Sequence, residues 1–139
     1  MDMGMNIPES HLDLLTQPIP VAVVTLMPDG TPQASVVWRM WEAPYVLVSS
    51  PKLTQKIRNV MRDPRLTFLM VDPQNSFRYL EIRSVVTDVR PDPDYAFLEK
   101  ITHFYMQKPY YGGMEPLEHR GTEDHLIIQI APQKVRVHG

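Results

Sequence analysis

The chain has 139 residues, 43% of them hydrophobic and 22% charged, with fourteen Lys and Arg against sixteen Asp and Glu for a net charge of −2. That balance suits one soluble globular domain over residues 1–139 and argues against a nucleic-acid partner held by bulk positive charge. With no cysteine, disulfides, thiolate metal sites and cysteine nucleophiles are excluded.

Met1–Asn6 lacks the basic and apolar regions of a signal peptide, and no apolar run is long enough to span a bilayer. A cytoplasmic location is therefore expected. Pro8 to Thr16 predicts a short helix, with Leu12 and Leu15 on one face, ended by Pro18 and Pro20. Ile19 to Met27 is rich in valine and reads as a buried strand. Pro28-Asp29-Gly30 is a turn signal. Gln33 to Trp41 reads as a second strand pairing back on the first, and Tyr45 to Ser49 as a third after Ala43-Pro44.

The period then changes. Leu53, Ile57, Val60 and Met61 share one helical face, with Lys56, Arg58, Asn59 and Arg62 opposite. Asp63-Pro64 ends that helix. Arg65 to Val71 and Tyr79 to Val89 read as strands around the loop Asp72–Asn75. Asp92 to Met106 reads as a second long helix with Tyr95, Leu98, Ile101, Thr102 and Tyr105 on one side. Gln107 to Thr122 is loop-like. His125 to Val137 closes as a strand bent at Pro132. Short turns join most strands, which disfavours a parallel doubly wound sheet. The expectation is an all-β-dominated α+β fold: a six-stranded antiparallel barrel with flanking helices.

Glycine-rich dinucleotide fingerprints, phosphate-binding loops of the Walker type and nucleophile elbows are absent. His11, His103, His119, His125 and His138 are scattered, and no metal site is expected. A ligand set from His119, His125, Glu118, Glu123 and Asp124 is conceivable, but a solvated loop is the plainer reading. The informative segment is Ser49-Ser50-Pro51-Lys52-Leu53-Thr54-Gln55-Lys56. It ends a strand in hydroxyls and enters a cationic helix, whose first N–H groups favour an anion such as phosphate. From the residues alone, a Thr54 or Ser50 cap with a solvated Lys56 explains it as simply. In Gln33-Ala34-Ser35-Val36-Val37-Trp38-Arg39, small residues beside a large one leave room for a flat ring, or form an ordinary strand. Phe77, Arg78 and Tyr79 could stack on and pair with a ligand, or serve the core.

Taken in order, these segments resemble the split-barrel proteins related to pyridoxamine 5′-phosphate oxidase, and among them the F420-dependent oxidoreductases. The resemblance runs from Ile7-Pro8-Glu9-Ser10-His11 through Pro28–Gln33. It is strongest over Lys56–Arg65 and resumes at Phe77–Arg83. It implies a six-stranded split barrel and a homodimer with coenzyme F420 or FMN at the interface. It places Gln33, Ala34, Ser35, Val36 and Val37 along the ring, and Ser49, Ser50, Thr54 and Lys56 on the phosphate. Phe77, Arg78 and Tyr79 form a further wall, from the same chain or the partner. Ser84 stands where the family usually carries glycine. The implied activity is hydride transfer between F420 and a small organic substrate. An FMN-dependent oxidase and a non-enzymatic flavin or F420 carrier are the alternatives. No acid or base is assigned; Tyr79, Arg39 and His103 are the polar residues to probe. Trp38, Met40, Trp41 and Tyr105 form a candidate substrate shelf.

Overall fold

The computed structural model describes residues 6–139, so the reading of the N-terminus as lacking a leader falls on Met1–Met5, outside the described residues. A 3-10 turn at Glu9–His11 leads into α1 (Leu12–Thr16). The strands β1 (Val21–Leu26), β2 (Pro32–Val37), β3 (Arg39–Glu42) and β4 (Tyr45–Pro51) follow. Next come α2 (Gln55–Arg62), β5 (Arg65–Asp72), β6 (Asn75–Pro91), α3 (Ala96–Met106) and β7 (His125–His138). Among the described residues no helix is long and apolar enough to cross a membrane.

The strands form one antiparallel sheet of seven, not six, in the order β2-β1-β5-β6-β7-β4-β3. The extra strand arises because Gln33–Trp41, read as continuous, breaks at Trp38. β2 pairs with β1 at one edge, and β3 pairs with β4 at the other. Neighbouring strands lie about 4.8 Å apart, so a flat sheet of seven would hold its edges roughly 29 Å apart. One residue reaches only about 3.5 Å. The sheet must therefore curl until its edges meet. Chain continuity, not hydrogen bonding, joins them.

The barrel interior takes alternate residues from each strand: Val21 and Val23, Phe68 and Met70, Leu80 and Ile82, Ile128 and Ile130. β4 is covered on both faces. Val46, Val48 and Ser50 point into the barrel. Leu47 packs the other way, with Ile127, under Phe97 and Ile101 of α3. Behind the Trp38 break, Arg39 is fully buried. Its guanidinium donates to Leu14 O (3.1 Å) and to Gln17 O, the carbonyls at the end of α1. A cation suits that end of a helix, where carbonyls lack partners.

Two predicted turns have clear causes. Gly30 takes φ +87°, while Asp29 accepts from the Thr31 N–H (3.0 Å) and hydroxyl (2.6 Å). At the bend in β7, Arg83 pairs with Lys134 but Ser84 with Pro132, leaving Gln133 bulged. Proline has no N–H for the ladder, so a bulge falls there. Ser84 is buried at this bulge with its hydroxyl turned to Ile82 O (3.4 Å).

The face of α2 differs from its prediction. Ile57 and Val60 are buried as expected, but Leu53 is 85% and Met61 67% exposed. Leu53 precedes the helix, and buried Asn59 takes the place of an apolar residue. Its Nδ2 donates to Thr25 Oγ1 (3.0 Å) and Gln33 Oε1 (3.2 Å), and its Oδ1 accepts from Gln55 (2.8 Å). This polar clasp ties α2 to β1 and β2. Buried polar groups left without partners cost about 1–3 kcal/mol. Asn59→Ala is expected to lower unfolding free energy by about 2 kcal/mol in urea titration; a loss below about 0.5 kcal/mol would show that the clasp does not hold the helix.

Candidate functional site

The two-residue period of β4 separates the hydroxyls that the sequence groups together. Ser50 faces the barrel interior and is fully buried. Its Oγ donates to Pro51 O (3.0 Å) and lies 3.2 Å from Thr54 Oγ1. Thr54 is the N-cap of α2, its hydroxyl accepting from Ile57 N–H at 3.3 Å. Ser50 thus braces the cap. Ser49 points the opposite way, and its buried Oγ has no hydrogen-bond partner.

Lys56, on the first turn of α2, is half-buried. Burial pushes its pKa below the ordinary lysine value. No carboxylate among the described residues pairs with it. A desolvated cation without a counter-ion gains from any anion that reaches it.

Ser49 and Lys56 line a cavity of about 260 Å³. Val36, Val37 and Trp38 supply one apolar wall; Leu98 and Ile101 of α3 supply another. Pro51, Tyr110 and His125 complete it. Trp38 stacks on Tyr105 with ring centres 5.0 Å apart and planes 12° apart. Tyr105 is held in turn by its hydroxyl, which donates to Ile19 O (2.7 Å) and accepts from Arg39 N–H (3.2 Å).

Of the residues read from the sequence, the structure brings Val36, Val37, Ser49 and Lys56 to this cavity. Ser50 and Thr54 support it from behind. Gln33 is held by Asn59, and Ala34 and Ser35 are exposed on β2. Phe77, Arg78 and Tyr79 do not line it. Phe77 is 75% exposed. Arg78 donates to Asp13 (2.5 and 3.1 Å), Asp72 (3.0 Å) and Ser10 O (2.6 Å). Tyr79 stacks on His138 at 5.0 Å. Of the shelf, Trp38 lines the cavity, while Met40, Trp41 and Tyr105 pack in the two cores. Of the polar residues to probe, Arg39 is buried at α1 and His103 is exposed. His119 pairs with Glu115 at 3.3 Å on the exposed loop. His125, expected at the start of the last strand and weighed as a metal ligand only against the plainer reading of a solvated loop, is buried as the first residue of β7.

A family model described as pyridoxamine 5′-phosphate oxidase matches residues 7–139. The chain belongs to the pyridoxamine 5′-phosphate oxidase family. An F420 reductase of known structure shares 32% identity over 94% of this chain and 98% of its own, with a TM-score of 0.81. A conserved hypothetical protein from Mycobacterium tuberculosis shares 19% identity, covering 99% and 88% of the two chains, with a TM-score of 0.73. A heme binding protein from Mycobacterium smegmatis shares 19% identity over 97% and 56%, with a TM-score of 0.64. The last two likenesses concern the fold. No curated protein sequence matches the chain.

Within this member of the pyridoxamine 5′-phosphate oxidase family, Thr54 shapes the site without facing it. Loss of an N-cap hydroxyl costs about 1 kcal/mol. Thr54→Ala is expected to lose that amount of stability in thermal or urea unfolding, with Thr54→Ser keeping most of it. Equal loss in both variants would mean that the methyl group, not the cap, matters.

Proposed function

We propose that this chain is an oxidoreductase that binds coenzyme F420 and transfers a hydride between it and a small organic substrate. The observation that carries the reading is an unpaired, half-buried Lys56 beside an unpartnered Ser49 hydroxyl in a cavity with apolar walls. That donor set fits a phosphate at the polar residues and a flat ring along Val36–Trp38. FMN offers the same two parts and is the alternative on this site. The 32% identity to an F420 reductase over nearly both full chains favours the deazaflavin.

The bound ring supplies the hydride chemistry. The chain binds, orients and excludes water. Lys56 and Ser49 hold the phosphate charge; Trp38, Leu98 and Ile101 keep the reacting face dry. Cofactor and drug-sized ligands occupy cavities of about 300–1,000 Å³. The single chain offers about 260 Å³, and Val36 beside it is 71% exposed. A homodimer in which a second copy covers β2 would complete the site, with exposed Phe77 as the reachable member of the Phe77–Tyr79 trio.

Side-by-side titration with F420 and FMN tests this reading. F420 is expected to bind more tightly. Hydrogen bonds to charged groups contribute about 1.5–3 kcal/mol, so Lys56→Ala should weaken binding by about 10- to 150-fold while leaving the fold intact. Binding of neither cofactor would contradict the proposal, and so would unchanged affinity in Lys56→Ala.

A further inference from the structure

His125 opens β7 directly opposite Pro51. Residues opposite one another on paired strands share a face, as do residues two apart on one strand. Ser49, Pro51 and His125 therefore face the same way, and all three line the cavity with Lys56. The histidine is only 4% exposed, yet neither Nδ1 nor Nε2 has a hydrogen-bond partner. Buried polar side chains almost always have one.

Its neighbours do not supply it. Tyr95 and Tyr110 approach edge-on at 5.8 and 6.0 Å, with Tyr111 behind them. Glu123 Oε1 stands 3.5 Å from Nε2, outside hydrogen-bond geometry but close enough to pair with the ring once it is protonated. The Asp92 carboxylate is engaged by the N–H groups of Phe97 (2.8 Å) and Leu98 (2.9 Å) at the start of α3. Asp124 precedes it in the chain, and its backbone carbonyl accepts from the Lys52 backbone N–H (2.9 Å). Lys56 is the cation that shares the cavity.

We propose that His125 is the third arm of the anion site, neutral in the free protein and protonated when it holds a phosphate-type group together with Lys56 and Ser49. This deepens the proposed function and rests on it. Burial is the largest influence on the free imidazole and lowers its pKa, against the pull of Glu123, Asp92 and Asp124. A bound anion adds to that pull and reverses the balance. Binding then takes up a proton. By linkage, affinity falls as pH rises between the lowered pKa of the free state and the raised pKa of the complex, by up to about tenfold per pH unit.

The test uses the purified protein with F420 and FMN as probes, between about pH 5.5 and 8.5. Nitrogen NMR of the histidine rings reads the His125 pKa with and without ligand. Calorimetry in two buffers counts protons taken up by wild type and His125→Gln; subtracting one from the other removes any titration of the ligand or Lys56. The expected result is a pKa that rises on binding and an H125Q variant about tenfold weaker near pH 6, approaching wild type at the alkaline end. A His125 pKa unmoved by bound ligand overturns the proposal, as does an H125Q variant that tracks wild type at every pH. If H125Q fails to fold, the wild-type NMR titration decides alone. Ligand binding with an unmoved His125 overturns this inference only; binding of neither cofactor overturns the proposed function with it.

Discussion

Only Trp38 separates two strands that lie at opposite edges of the sheet. That covalent constraint forces the sheet to curl, and the curl makes everything else possible. It brings the end of β2 close to the end of β4, so that Val36–Trp38 line one cavity with Ser49 and Pro51. The bend is secured from both sides. Arg39 is buried against the carbonyls ending α1, and Trp38 stacks on Tyr105 of α3. A charged side chain used as an internal strut is costly to bury without partners, so its hold on those carbonyls matters to the fold.

From that frame the site follows by side-chain parity. β4 is covered on both faces, and alternation gives its two serines opposite duties. Ser50 works inside the barrel, bracing the cap of α2; Ser49 faces the cavity with an unsatisfied hydroxyl. The Asn59 clasp fixes α2 on β1 and β2, which sets where Lys56 stands. Structural bracing and unpaired polar groups are thus divided between adjacent residues. Ser50, Thr54 and Asn59 hold the scaffold, and Ser49 and Lys56 are left without protein partners.

Much of this was legible in the sequence because it depends on local signals. Valine-rich runs gave the strands, Pro28-Asp29-Gly30 the hairpin, and Asp63-Pro64 the end of α2. From the strand-to-helix segment, Ser49 and Lys56 line the candidate cavity. The failures were non-local. Nothing within Gln33–Trp41 announces that its two halves pair with different partners, so the strand count came out one short. The burial of Asn59 depends on Thr25 and Gln33, distant in the chain. Ser49 and Ser50 looked equivalent because helix entry blurs the strand period there. His125 lay beyond reach for the same reason: its place beside Ser49 comes from the pairing of β4 with β7, a register that spans some seventy residues. Tyr110 reaches the cavity from a loop tied to α3 by Glu99, which accepts its backbone N–H at 2.8 Å.

The central claim is that an anionic cofactor group meets this chain at Lys56 and Ser49. A crystal structure of the protein with F420 bound tests it most directly. The phosphate should lie within hydrogen-bond distance of Lys56 Nζ and Ser49 Oγ, about 2.7–3.1 Å, with the ring along Val36–Trp38. A phosphate bound away from both residues, with the cavity beside Trp38 left to solvent, would contradict the account.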